Sequence, residues 1–292
     1  MVEQNSSGSA ADPASAASAE AASAASPQMG FAPAVVTAAL LVIGNEILSG
    51  RTKDKNIGHI ARVMTEIGID LKEVRVVADE EAAIVDALNE LRSRYTYVFT
   101  TGGIGPTHDD ITADSVAQAL GVPLEVHPRA VELLQARIGE LNEARMRMAR
   151  VPRGAALVEN RVSAAPGFWI DNVIVMAGVP SIMQAMLDAV VPRLRTGVRL
   201  IAETVRADLR EGDIGSELAA IAKDYPDVMI GSYPFMDEVR GPNTDVVLRA
   251  RDPEKLAAAK TEVERMIARV QAALAQRPAP AGPAARRPGG ST

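Results

Sequence analysis

The stretch Thr101-Gly102-Gly103-Ile104-Gly105-Pro106-Thr107-His108-Asp109-Asp110-Ile111-Thr112 joins the residue types of a phosphate site to two adjacent acids. Three glycines let the chain turn tightly and approach a ligand with no Cβ in the way. Backbone N–H groups of such a loop, and the N-terminus of a following helix, hold an anion such as phosphate. Pro106 stiffens the turn. Asp109 and Asp110 would repel phosphate directly. A divalent cation resolves the conflict, because Mg²⁺ is held by one or two carboxylates together with phosphate oxygens. The pattern points to a phosphate- or pyrophosphate-containing ligand with Mg²⁺ or a similar hard ion. A second reading makes the two Asp helix caps, and the residues alone leave both open. The loop lacks the Gly-Lys-Ser/Thr of a Walker motif, and it follows the third strand, where a dinucleotide-binding fingerprint follows the first.

Other candidates gather around this loop. Asp79 ends the second predicted strand, as a ligand contact or as the cap of a helix carrying Glu80 and Glu81. Gly44-Asn45-Glu46 ends the first, with Glu46 a ligand or metal contact and Asn45 suited to an Asx turn. Gly50 and Asn56 serve loop geometry and the cap of the first helix. His108 is read as exposed, and His59 and His127 lack ligand-spaced partners, which argues against zinc. With no Cys, thiolate metal sites, disulfides and a Cys nucleophile are excluded. Arg145, Arg147, Arg150 and Arg153 form the one basic concentration, by default a solvated face. Gly212-Asp213-Ile214-Gly215 matches an RNA-clamping G-x-x-G, but acidic flanks oppose phosphate binding and make it a helix-start turn.

The elements that position these residues alternate. Val35–Ile43 is an apolar run suited to a strand buried on both faces. Ile57, Ile60, Met64 and Ile67 then recur at helical spacing up to Gly68. Strands follow at Leu71–Val77, Tyr97–Thr101 and Val173–Met176. Helices are marked by Ile84, Leu88 and Leu91, by Thr112–Leu120, by a stretch from Pro128 to Leu141, and by Ser181–Leu194. Repeated β-α-β units imply a mostly parallel sheet between helices, with ligands at the carboxyl ends of its strands. After residue 198 the order is mixed: strands at Ile201–Val205, Val228–Tyr233 and Asp245–Ala250, helices at Asp213–Lys223 and Pro253–Gln276. That is a smaller α+β unit.

The whole chain has 292 residues and a net charge of −6, which argues against nucleic-acid or anionic-membrane partners. Residues 1–33, rich in Ala and Ser, and 277–292, rich in Pro, Gly and Arg, are read as disordered. Residues 34–198 and 199–276 are the two folded units. No apolar run approaches a membrane span and no secretory signal is present, so a cytoplasmic location is expected.

Together, GNEIL at 44–48, Asn56, Asp79, TGGIGPTHDDIT at 101–112, APGF at 165–168 and AGVP at 177–180 resemble the molybdopterin-binding-domain superfamily (MoaB/Mog-like). Within it they resemble the N-terminal part of the competence/damage-inducible CinA family. Residues 199–276 resemble that family's KH-like domain. The deamidase domain of longer members has no counterpart in these residues, so nicotinamide mononucleotide deamidation is not expected. The resemblance implies a three-layer α/β/α sandwich, a homo-oligomer, and a pterin or nucleotide ligand. It also implies binding of molybdopterin or metal-dependent pyrophosphatase action on ADP-ribose- or FAD-type substrates. It assigns the catalytic role to Asp110, Asp109 and Asp79, with the metal on Asp109 and Asp110. Gly44, Glu46, Thr101, Gly102, Gly103, Gly105, Pro106, Thr107, Gly178 and Pro180 would hold the ligand. Two departures stand out: in the turn Ala177 replaces a Pro and Ile182 an acid, the latter favouring a binding module without turnover, and Ser163 and Ala164 replace a common Gly-Thr before the APG segment. A competence-related interaction protein is the weakest alternative.

Overall fold

The computed structural model describes residues 35–276, so both tails read as disordered lie outside the described residues. The first lobe runs β1 (Val36–Ile43), α1 (Asn45–Leu48), α2 (Asn56–Glu66), β2 (Ile69–Val77), α3 (Glu81–Arg94), β3 (Tyr97–Thr101) and α4 (Thr112–Leu120). It continues with β4 (Leu124–Val126), α5 (Pro128–Ile138), α6 (Glu143–Arg147), β5 (Arg150–Pro152), β6 (Ala156–Val158), β7 (Gly167–Ile170), β8 (Val173–Met176) and α7 (Pro180–Val190). The second holds β9 (Ile201–Arg206), α8 (Glu211–Asp224), β10 (Met229–Asp237), β11 (Gly241–Ala250) and α9 (Pro253–Ala275).

β1 is apolar throughout because it is covered on both faces. Ala38, Leu40 and Val42 pack with Ile60 and Met64 of α2 and Met183 and Leu187 of α7. Ala39, Leu41 and Ile43 pack with Ile84 and Leu88 of α3 and Val116 of α4. Each buried Leu contributes roughly 1.5–3 kcal/mol. The sheet order is β2-β1-β3-β8-β7-β6. The first four strands are mutually parallel, and β7 and β6 are antiparallel additions at one edge. This is the expected three-layer sandwich with a mostly parallel sheet.

The structure refines several boundaries. The helical pattern from Pro128 breaks at Gly139, where φ is +73°, so Leu141 lies between α5 and α6. α7 stops at Val190 because Pro192 follows, in a 3₁₀ turn over Val191–Arg193. β10 runs past Tyr233 through Pro234, which is tolerated because β10 is an edge strand of the sheet β10-β11-β9.

The second lobe has its own core, with Leu218 and Ile221 of α8, Val246 and Leu248 of β11, and Val263 and Met266 of α9. The lobes meet where Arg251 donates to Asp70 at 2.6 Å and to the Val198 carbonyl at 3.2 Å. Among the described residues no helix is long and apolar enough to cross a membrane.

Candidate functional site

The register of the parallel strands sets four strand ends side by side. Val42 pairs with Thr101, Ile43 with Val77, and Thr101 with Met176. Gly44, Asp79, Gly102 and Ala177 therefore leave the sheet at one edge. Gly102 has φ +104°, and a Cβ there would stand 2.1 Å from the Ile43 carbonyl oxygen. Its amide donates to the Met176 carbonyl at 3.2 Å. A side chain at Gly102 is thus excluded twice, by backbone conformation and by the end of β1.

The loop is pinned at its far end by Thr112, which is fully buried. Its Oγ1 donates to the Gly102 carbonyl at 2.9 Å, and its amide donates to the Gly103 carbonyl at 3.0 Å. The amides of Gly103, Ile104 and Gly105, by contrast, donate to no acceptor among the described residues. Asp110 closes the next turn: its Oδ2 accepts from the Thr107 amide at 2.8 Å and from the Thr107 hydroxyl at 2.5 Å. The capping alternative for the two acids has no support here, because α4 is capped by Ile111 with no side-chain hydrogen bond. Asp109 is exposed. Its carboxyl is held below the ordinary carboxylate range, chiefly by the Thr107 side chain and its own backbone amide. The Thr107 hydroxyl hydrogen bond itself goes to Asp110. His108 is 99% exposed at its side chain.

A cavity of about 510 Å³ opens beside this loop. Glu46, Gly102, Gly103, Gly105, Asp110, Gly178 and Pro180 are the expected site residues that line it. Gly44, Asp79, Thr101, Pro106, Thr107 and Asp109 are not in the lining. Gly44 admits the Glu46 carboxylate, whose Oε2 would lie 2.6 Å from a Cβ. Asp79 caps α1, not α3: its Oδ2 accepts from the Asn45 amide at 2.7 Å. Thr101 is buried in the strand end with its hydroxyl unpartnered.

Six further residues line it: Ile104, Ala165 and Val179 belong to the quoted motifs and Ser163 precedes APGF, whereas Thr52 and Met148 carry no sequence signal. Ala177 and Ile182, the departures in the turn, both line the cavity and make that wall apolar, and Ser163 of the second departure lines it too. Asn56 acts here too, donating from Nδ2 to the Gly178 carbonyl at 2.8 Å and fixing the AGVP turn. The cap of α2 is instead Asp54, whose Oδ1 accepts from the amides of Asn56 and Ile57. Arg147 and Arg150 are half-buried, not a solvated face: Arg150 pairs with Asp114 at 3.0 Å, and Arg147 donates to the Asp110 carbonyl at 3.3 Å.

Chemically, the edge offers free amides for an anion, an apolar wall for a flat ring, and two carboxylates, Glu46 and Asp110. No Lys or Arg lines the cavity among the described residues. Nor do any three His, Asp or Glu side chains gather there or elsewhere among the described residues to hold a metal ion.

Comparison with known proteins agrees with this architecture. The family described as probable molybdopterin binding domain matches residues 39–196, and FAD synthase, middle domain, matches residues 199–273. A protein of Archaeoglobus fulgidus is 32% identical over 228 residues, 78% of this chain and 96% of its own. One of Caldivirga maquilingensis is 34% identical over 250 residues, covering 80% of this chain and 96% of its own. A crystal structure of the protein CinA from Thermoplasma acidophilum superposes with a TM-score of 0.52 at 32% identity, covering 55% of this chain and 98% of that one.

Proposed function

This chain belongs to the molybdopterin-binding-domain family, and from that premise we propose that it binds an adenine-dinucleotide-type or pterin phosphate at the carboxyl edge of the large sheet and cleaves a pyrophosphate bond there. The observation that carries the reading is the trio of unpaired amides, Gly103 to Gly105, on the wall of a 510 Å³ cavity. Amides in a glycine turn stabilise phosphate without a side-chain charge. The apolar wall of Ile104, Ala177, Val179 and Ile182 suits an adenine or pterin ring. The match of the small lobe to FAD synthase, middle domain, supports an FAD-type ligand among these.

A hard divalent ion fits the donor set. Glu46 and Asp110 supply two carboxylates to one cavity, and such an ion takes its remaining ligands from phosphate and water. When bound, it polarises a phosphoryl group and lowers the pKa of a bound water. The protein's own part is to hold the phosphate on the loop amides, to keep Asp110 oriented through Thr107, and to fix the opposite turn through Asn56. Asp109 and Asp79 act around this centre, Asp79 by bracing the turn that carries Glu46.

The test is release of AMP from ADP-ribose or FAD with Mg²⁺, Mn²⁺ or Co²⁺. Asp110→Asn should lower it on the order of 100-fold or more while the fold is retained. A second reading, binding of a pterin or nucleotide without turnover, is favoured by the absence of a three-acid cage among the described residues and by Ile182 on the wall. Tight binding with no AMP released under any of these metals selects it.

A further inference from the structure

We propose that Arg147 supplies the positive charge for the anionic part of the ligand, from the space that adjoins the glycine loop. The assignment rests on the reading of that loop as a phosphate site. Arg147 ends α6 and is half-buried. Its one hydrogen bond runs from Nη2 to the Asp110 carbonyl, at 3.3 Å. Its Nε is shielded from solvent and has no acceptor among the described residues.

The neighbouring arginines differ in ion pairing, although the Arg150 Nε is likewise shielded and without an acceptor among the described residues. Arg150 makes a two-pronged pair with Asp114, at 3.2 and 3.0 Å, and Arg153 pairs with Glu125. Arg147 forms no ion pair with Asp110, Asp114 or any other described acid. A cation partly removed from water with no direct ion pair is costly, and a bound anion offsets that cost.

Its position suits the task. Arg147 shares a narrow space with Gly103, Gly105 and Asp110, along with the paired Asp114 and Arg150, and the two glycines and Asp110 also line the main cavity. That cavity presents Glu46 and Asp110 but no cation of its own among the described residues. A phosphate on the loop amides would then have the Arg147 guanidinium near it as well as the carboxylates of Glu46 and Asp110. The ligand class that needs this residue is a phosphate or pyrophosphate ester; a neutral pterin or nucleoside gains nothing from it.

The experiment is calorimetric titration of the full chain with ADP-ribose and Mg²⁺, at low and high salt, for wild type, Arg147→Gln and Arg147→Lys. Wild type should bind, with affinity falling as salt rises. Arg147→Gln should bind about tenfold more weakly or worse, with a flattened salt dependence. Arg147→Lys keeps the charge but not the planar fork, and should recover part of the affinity. The assignment is overturned if Arg147→Gln binds as wild type does. It is equally overturned if Lys and Gln weaken binding alike with the salt dependence intact, which marks a mere tether of α6 to the Asp110 carbonyl. Failure of the wild type to bind ADP-ribose is a separate result: it removes the phosphate-site reading on which the assignment stands.

Discussion

The carboxyl edge of the large lobe and the hairpin of the small lobe handle polar groups in opposite ways. At the base of the hairpin, Arg206 pairs with Asp208 and Asp237, Arg240 pairs with Asp208, and Asn243 donates to Asp208 at 2.9 Å. This network holds Asp208 at φ +51°, a conformation uncommon outside glycine. At the large-lobe edge, three loop amides, the Thr101 hydroxyl, the Asn56 side-chain carbonyl and the Arg147 Nε lack partners among the described residues. Satisfied polar groups stabilise a fold; unsatisfied ones at a cavity wall are what a ligand completes. Among the described residues the small lobe leaves the buried Thr244 hydroxyl unpartnered, but only the three loop amides open on a cavity wall, and that contrast supports the proposed site in the large lobe.

The largest effect that could break this contrast is Gly102→Ala. The new Cβ meets the Ile43 carbonyl at 2.1 Å in a left-handed conformation, so stability should fall by about 3 kcal/mol or more, together with ligand binding. Chemical denaturation checks it, and a folded Gly102→Ala of normal stability would refute the close packing of the loop on β1. Next is a matched pair of acids. Asp110→Asn should leave the melting temperature nearly unchanged and remove ligand affinity or turnover. Asp208→Asn should lower the melting temperature and leave ligand affinity unchanged. An exchange of these phenotypes would reverse the assignment of the two regions.

Acid sharpens the comparison further. Asp208 is held at about 2 by Asn243, Arg206 and Arg240, and Asp237 at about 2 by Arg206 and the Arg240 and Val239 amides, both down from 3.8. A carboxylate depressed in the folded state contributes stability that is present above its unfolded pKa and lost as pH falls through the folded one. Between pH 3.8 and about 2, then, amide exchange in β10 and β11 should accelerate. The smallest effect is expected at Gly215, inside α8, where an added Cβ would meet nothing within 4 Å. Gly215→Ala should stabilise by roughly 0.5–1 kcal/mol. The same change in a true phosphate-clamping turn would cost binding, so unchanged ligand affinity also confirms that this glycine pair serves only the helix.

Much of this is legible in the residues. Runs such as Val36–Ile43 are apolar at nearly every position because the strand is covered on both faces, and that announces a parallel sheet and its carboxyl edge. The short strands β4 to β7 carry too few residues to show a period. Pro234 hides the length of β10, since an edge strand and a strand end look alike in sequence. At the site, the glycine-acid loop stands out by composition. Asn56 reaching the Gly178 carbonyl spans 122 positions, and Arg147 reaching the Asp110 carbonyl spans 37; no local pattern encodes such contacts. Asp79 follows a strand and so belongs to the carboxyl edge by sequence, but only the structure gives its partner, the Asn45 amide.

The most direct test is a crystal structure of the full chain grown with ADP-ribose and Mg²⁺. A phosphate should lie within hydrogen-bonding reach of the Gly103, Ile104 and Gly105 amides, with the adenine or ribose against Ile182 and Val179. A ligand seated on the small lobe, or an empty cavity at saturating ADP-ribose, would contradict the assignment of this edge as the phosphate site.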